Sequence, residues 1–99
     1  MSQYVINVLA TQDLNEIADY FAEYNLAAGS QFFRAFNKKC KQLVAFPNSG
    51  KSYDSIRPGL RGLSLDNYII FYRLLDDGIE ILRVIHGRRD FPSAFDESS

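Results

Sequence analysis

The spacing of apolar residues changes along the chain, and each change marks an element. Tyr4 to Leu9 (YVINVL) is a β-branched, apolar run that stops at Ala10-Thr11, which predicts an N-terminal strand. Leu14, Ile17, Ala18 and Phe21 then recur at i, i+3, i+4 and i+7, the stripe of an amphipathic helix over about residues 12 to 24. Thr11 is its expected N-cap, with Asp13 and Glu16 placing negative charge in the first turn, where the helix dipole favours it. Asn25 is suited to end that helix and to cap the next. From Leu26 the apolar positions Gly29, Phe32, Phe33, Phe36, Cys40, Leu43 and Val44 fall within an arc of about 120° at ~100° per residue. This predicts a long helix ending near Phe46, stopped by Pro47. The two helices form an antiparallel hairpin.

Pro47 to Gly59 is rich in turn formers and reads as a loop. Three strand-like runs follow, Leu60 to Leu65, Tyr68 to Leu75 and Ile79 to His86, separated by Asp66-Asn67 and Asp76-Asp77-Gly78. The last two are apolar on both parities, so both their faces are expected to be mostly covered. The tail Arg88 to Pro92 leaves the sheet, and Asp96 to Ser99 is expected to fray. The order β-α-α-β-β-β makes an α+β fold: a helix hairpin on a small, mainly antiparallel four-stranded sheet. One domain is expected over residues 1–99, ordered over about 3–92.

Composition narrows the function. Ninety-nine residues leave no room for separate cofactor and substrate domains. Eleven Lys and Arg against twelve Asp and Glu give a formal charge of −1 and a pI near 5.7. That balance argues against a protein held on nucleic acid mainly by neutralising phosphates, though a local basic site stays open. Cys40 is a lone thiol on the apolar stripe of the second helix, and the single His86 excludes His-rich zinc motifs. No uncharged run reaches the ~18 residues of a membrane helix, and the first basic residue is Arg34, too late for a signal peptide. A cytoplasmic protein without metal or cofactor is expected.

Common catalytic templates fail as well. Asp76-Asp77 sits in a hairpin turn, and Gly59-x-x-Gly62 precedes a strand rather than a phosphate-binding helix. What remains is cationic. Arg57, Arg61, Arg73, Arg83, Arg88 and Arg89 all lie in the sheet half of the chain. Arg73 shares parity with Ile69 and Phe71, and Arg83 with Ile79, Ile81 and Ile85, which suggests a second, half-open sheet face. Such arginines either bind carboxylate or phosphate bidentately or pair internally with Glu80, Asp66 or Asp90. His86, before Gly87, is either structural or catalytic.

The residues also carry a family likeness. Asp13-Leu14-x-x-Ile17-Ala18-x-Tyr20 is followed by Phe46-Pro47-x-x-Gly50, Pro58-Gly59-Leu60-Arg61 and Tyr68-x-Ile70-x-Tyr72-Arg73. Ile81-Leu82-Arg83-Val84-Ile85-His86-Gly87-x-Arg89-Asp90 completes the set. In this order and spacing, over about residues 4–92, the chain resembles the ParE branch of the RelE/ParE toxins of bacterial type II toxin–antitoxin systems. The resemblance implies a RelE/ParE-like fold and a cognate antitoxin, ParD-like or a similar small protein, bound in a hetero-oligomer. It also implies DNA gyrase as target for a ParE-like toxin, or ribosome-bound mRNA for a RelE-like one. The nuclease relatives use sheet-borne basic residues with a C-terminal Tyr or a His-Tyr pair, whereas here the last Tyr is Tyr72 and Gly87 follows His86. The chain is therefore expected to inhibit gyrase by binding, without catalysis and without direct nucleic-acid contact. Arg57, Arg61, Arg73, Arg83, His86, Arg88 and Arg89 are the candidate antitoxin- or target-binding residues. A metal-independent mRNA endonuclease using Arg61, His86 and Arg88 is the alternative.

Overall fold

The computed structural model describes residues 3–98. Strand β1 (Gln3–Ile6) leads into helices α1 (Val8–Tyr24) and α2 (Leu26–Ala45). Strands β2 (Lys51–Ser52), β3 (Arg61–Leu65), β4 (Tyr68–Leu75) and β5 (Gly78–His86) follow, and a 3-10 segment covers Phe91–Ser98. The sheet has five strands in the order β1-β5-β4-β3-β2, parallel only between β1 and β5. The four strands expected are present; the fifth is the two-residue β2, which pairs Lys51 with Gly62 inside what read as a loop. A strand of that length leaves no alternation to detect.

The start of α1 corrects the expected boundary. The apolar run does not continue as strand to Leu9, and Thr11 is not the N-cap. Asn7 is: its side-chain oxygen accepts the Leu9 N–H at 2.8 Å, and its carbonyl accepts the Thr11 N–H at 3.0 Å. Asn25 does serve both helices. Its N–H closes α1 on the Phe21 carbonyl, and its side chain caps α2 at the Ala28 N–H. An extended backbone at Asn25 (φ −168°) makes the reversal between the helices.

The two helices cover one face of the sheet. Ala10, Ile17, Phe32, Phe36, Cys40 and Leu43 bury against Leu65, Ile70, Tyr72, Ile79, Ile81 and Val84. Each fully buried Phe, Leu or Ile there contributes roughly 1.5–3 kcal/mol. Burial pushes the Cys40 thiol up to about 12, so it stays protonated and behaves as a small hydrophobe. Tyr72 is the polar member of this core. Its hydroxyl donates to the Pro47 carbonyl at 2.6 Å and accepts the Gly50 N–H at 3.0 Å, fixing the exit from α2. A Cβ on Gly50 would lie 2.5 Å from that hydroxyl, so the glycine is required for close approach.

A second, smaller core lies on the other face. Leu60, Phe71, Ile85 and Phe95 pack with Tyr53, Ile56, Ile69, Leu82 and Phe91. The half-open face expected from the arginines is thus closed by the segment before β3 and by the tail. The tail leaves the sheet, then turns back over it with Phe91 and Phe95 against Phe71. Its 3-10 backbone runs through Ser98, where fraying from Asp96 was expected; Ser99 lies outside the described residues.

A register shift opposite Phe71 and Tyr72 leaves Leu82 as an extra residue in β5. The bulge reverses parity along the strand. Ile79 and Ile81 face the helices before it; Val84 does so after it, while Ile85 joins the outer core. Uninterrupted alternation would have put Ile79, Ile81, Arg83 and Ile85 together.

Candidate functional site

The cationic residues separate into four environments. Arg73 and Glu80 are cross-strand partners on the outer face, joined at 2.6 Å, as expected for internal pairing. Glu80 also accepts the Asn7 side-chain amide at 3.2 Å. The hydrogen bond from Arg73, more than burial opposes it, holds the Glu80 carboxyl below its usual range. Arg61 is turned inward over the α2 exit, donating to the Asn48 and Gly50 carbonyls at 3.1 and 3.0 Å. Its Nε is buried without a hydrogen-bond partner among the described residues.

Arg83 pairs internally too, but not with Glu80, Asp66 or Asp90. Its guanidinium forks onto Asp13 of α1 at 2.8 and 2.9 Å, and the same carboxylate accepts the Val84 N–H at 2.9 Å. The cause lies in the strand lengths. β1 stops at Ile6, opposite Ile81, so the rest of β5 has no strand neighbour on that side. Asp13, on α1, takes the exposed edge donor that a strand would have taken, and Arg83 neutralises it. Asp13 is therefore a buried acid in a sheet-edge contact, not a first-turn dipole charge. The Asp13 hydrogen bond raises the Arg83 pKa, overcoming the opposing effect of burial.

Arg57 and Arg83 line a small cavity of about 120 Å³ with Asn7, Leu9, Leu82, Ala94 and Phe95. Arg57 reaches it from the segment before β3, lies 5.2 Å from the Phe95 ring centroid and donates to the Phe95 carbonyl at 3.4 Å.

His86 and Arg89 line a second cavity of about 220 Å³ with Asp13, Glu16, Ile17, Tyr20, Tyr68, Val84 and Ile85. The His86 ring meets Tyr68 edge to face at 5.2 Å, and its Nδ1 accepts the Arg88 N–H at 3.2 Å. That bond leaves the neutral ring's proton on Nε2. Tyr68 supplies the hydroxyl that no residue near His86 in sequence offers. Pairing across two strands brings them together: Tyr68 is the register partner of His86, eighteen positions earlier. No spacing rule reads such a pair without the register. Burial holds the Tyr68 pKa above its usual value, so the hydroxyl stays protonated, and the cavity carries charges of both signs in Glu16 and Arg89.

The three residues of the nuclease alternative are not gathered. Arg61 opens β3, whereas His86 is aligned through Tyr68 with Leu65 at the other end. Four residues along the strand and two strands across separate them by roughly 16 Å. Arg88 follows His86 in the exposed turn. Among the described residues no group of three His, Cys, Asp or Glu side chains is placed to hold a metal ion. No helix there is long and apolar enough to cross a membrane.

A family model described as the ParE toxin of the type II toxin–antitoxin system parDE matches residues 4–91. Toxin ParE1 of Mycobacterium tuberculosis is 33% identical over 91 residues, covering 90% of this chain and 93% of its own. Toxin ParE3 of Caulobacter vibrioides is 40% identical over 47 residues, 48% of this chain and 47% of its own. Among solved structures, a chain of the chromosomal ParDE TA system from P. aeruginosa superposes with a TM-score of 0.67. It is 24% identical, covering 87% of this chain and 96% of its own, and so shares the fold.

Proposed function

The chain belongs to the ParE toxin family of type II toxin–antitoxin systems, and from that premise we propose how it acts and how it is silenced. It is the toxin of a pair, neutralised by direct binding of a small cognate antitoxin, and when free it inhibits DNA gyrase by occupying a surface. The observation that carries the non-enzymatic reading is the dispersal of the basic residues. Arg61, Arg73 and Arg83 are each committed to internal acceptors, and His86 stands about 16 Å from Arg61. General acid–base catalysis needs its groups within hydrogen-bond reach of one reacting centre, and this set does not offer that.

Arg57, Arg88, Arg89 and His86 are then the members of the candidate set best placed to meet a partner, while Arg61, Arg73 and Arg83 hold the sheet that presents them. The protein needs no cofactor and works in the cytoplasm, where gyrase and antitoxin are.

Tyr68 beside His86 is the one observation favouring the second reading, an mRNA endonuclease. Tyr68→Phe separates the two, because it removes only the hydroxyl. Under the surface-binding reading, induction of that variant without antitoxin still lowers viable counts by a similar factor. Loss of toxicity, with antitoxin binding intact, would favour the nuclease.

A further inference from the structure

The geometry points to the small cavity between α1, β5 and the tail as a carboxylate pocket, occupied in the neutralised complex by an acidic side chain of the antitoxin flanked by apolar residues. This rests on the toxin–antitoxin reading and names a contact within it.

The pocket is cationic and only partly compensated among the described residues. Two guanidiniums line it, and no carboxylate is among the lining residues of 3–95. Asp13 occupies Nε and Nη2 of Arg83, so that charge is answered from α1. Arg57 is not answered by an acid among residues 3–95. Its hydrogen bond goes to the Phe95 carbonyl at 3.4 Å, and the Phe95 ring lies under its guanidinium. Most of its donors remain available. The N-terminus of the 17-residue α1 begins at the same place, adding positive potential where Asn7 and Leu9 line the wall.

Size and rim select the occupant. About 120 Å³ is roughly four water volumes, room for a carboxylate on its methylene stem and too little for a nucleobase. Apolar surface lies beside the two guanidiniums: Leu9, 45% exposed, lines the pocket with Leu82, Ala94 and Phe95. A nucleic-acid backbone gains nothing from those side chains. A peptide with an Asp or Glu between apolar residues gains from both, through a charge-assisted bidentate contact at Arg57 and burial along Leu9.

The test uses the full chain and, as probe, the small protein encoded by the reading frame adjoining its gene, titrated by calorimetry at two salt concentrations. Arg57→Gln and Arg57→Glu are expected to weaken binding at least tenfold, with the salt dependence of the wild-type affinity reduced. Arg57→Lys should fall between, because an ammonium cannot fork. Unchanged affinity in the Gln and Glu variants, with the wild type binding tightly, overturns the pocket and leaves the toxin–antitoxin reading standing. A wild-type chain that does not bind the adjoining protein overturns both. Asp96 and Glu97 follow Phe95 in sequence, and a double variant tests whether this chain's own acids compete for the pocket. If D96N/E97Q lowers the melting temperature as much as Arg57→Gln does, and Arg57→Gln leaves antitoxin affinity intact, the pocket belongs to the tail and the proposal fails. Loss of duplex-DNA binding alone in Arg57→Glu would assign it to phosphate and overturn it equally.

Discussion

The two faces of the sheet are built from the same two strands by different means. On one, α1 and α2 lay regular apolar stripes over Ile70, Tyr72, Ile79 and Ile81, and every member of that core is tied to an element with its own periodic hydrogen bonds. On the other, Phe71 and Ile85 are covered by Tyr53, Phe91 and Phe95, aromatic side chains from a loop and a 3-10 segment. The helix face supplies rigidity. Arg57, Arg73 and Glu80 lie on the outer face or at its border, whereas His86 and Arg89 line a cavity against α1. Arg83 joins the two, rooted beyond the bulge and anchored to Asp13 of the helix layer.

The largest effect on stability is expected from cutting that join. Asp13→Ala leaves a half-buried guanidinium and the Val84 N–H without an acceptor and should cost about 3–5 kcal/mol in denaturant unfolding. Asp13→Ala/Arg83→Met should recover much of it, because removing both charges removes the unpaired one. Equal losses in the single and double variants would mean that packing, not charge, holds this edge. Next comes Tyr72→Phe, expected to cost about 1–3 kcal/mol by leaving the Gly50 N–H unmet in the helix-face core.

Phe95→Ala probes the other face. A Phe→Ala change in a fixed core costs about 3–5 kcal/mol, but the tail end can settle into the space, so about 1–2 kcal/mol is expected here. Amide exchange in residues 91–95 should rise while that in α2 does not. A loss as large as that of Phe32→Ala would erase the distinction between the faces. The smallest effect is electrostatic. Glu80 has a folded pKa below its unfolded one, so its ionised form contributes stability above the ordinary value of 4.5, lost as pH falls through the folded value. Glu80→Gln should flatten the acid limb of the stability–pH curve slightly and lower stability near pH 7 by the same small amount, since Arg73 is largely exposed.

How far the sequence could be read follows the same division. The helix stripes, Asn25 and the three antiparallel runs are local signals, and local signals are legible. Residues carrying long-range geometry were not. Asn7 stood inside an apolar run that a strand explains equally well until the cap is seen. Leu82 breaks parity without a glycine or proline to announce it. The Asp13–Arg83 pair spans seventy positions, and Tyr68 reaches His86 only through the β4–β5 register. The arginines were therefore visible as a set, while which of them are committed inward depended on contacts that no spacing encodes.

Surface occupation and RNA cutting are separated by adding one preparation of the antitoxin-free protein to two assays in parallel: gyrase supercoiling of a plasmid, and cleavage of mRNA on programmed ribosomes. If the toxin occupies a surface, supercoiling stops while the mRNA stays whole. Cleaved mRNA with supercoiling untouched, and cleavage abolished by His86→Ala, would contradict surface occupation.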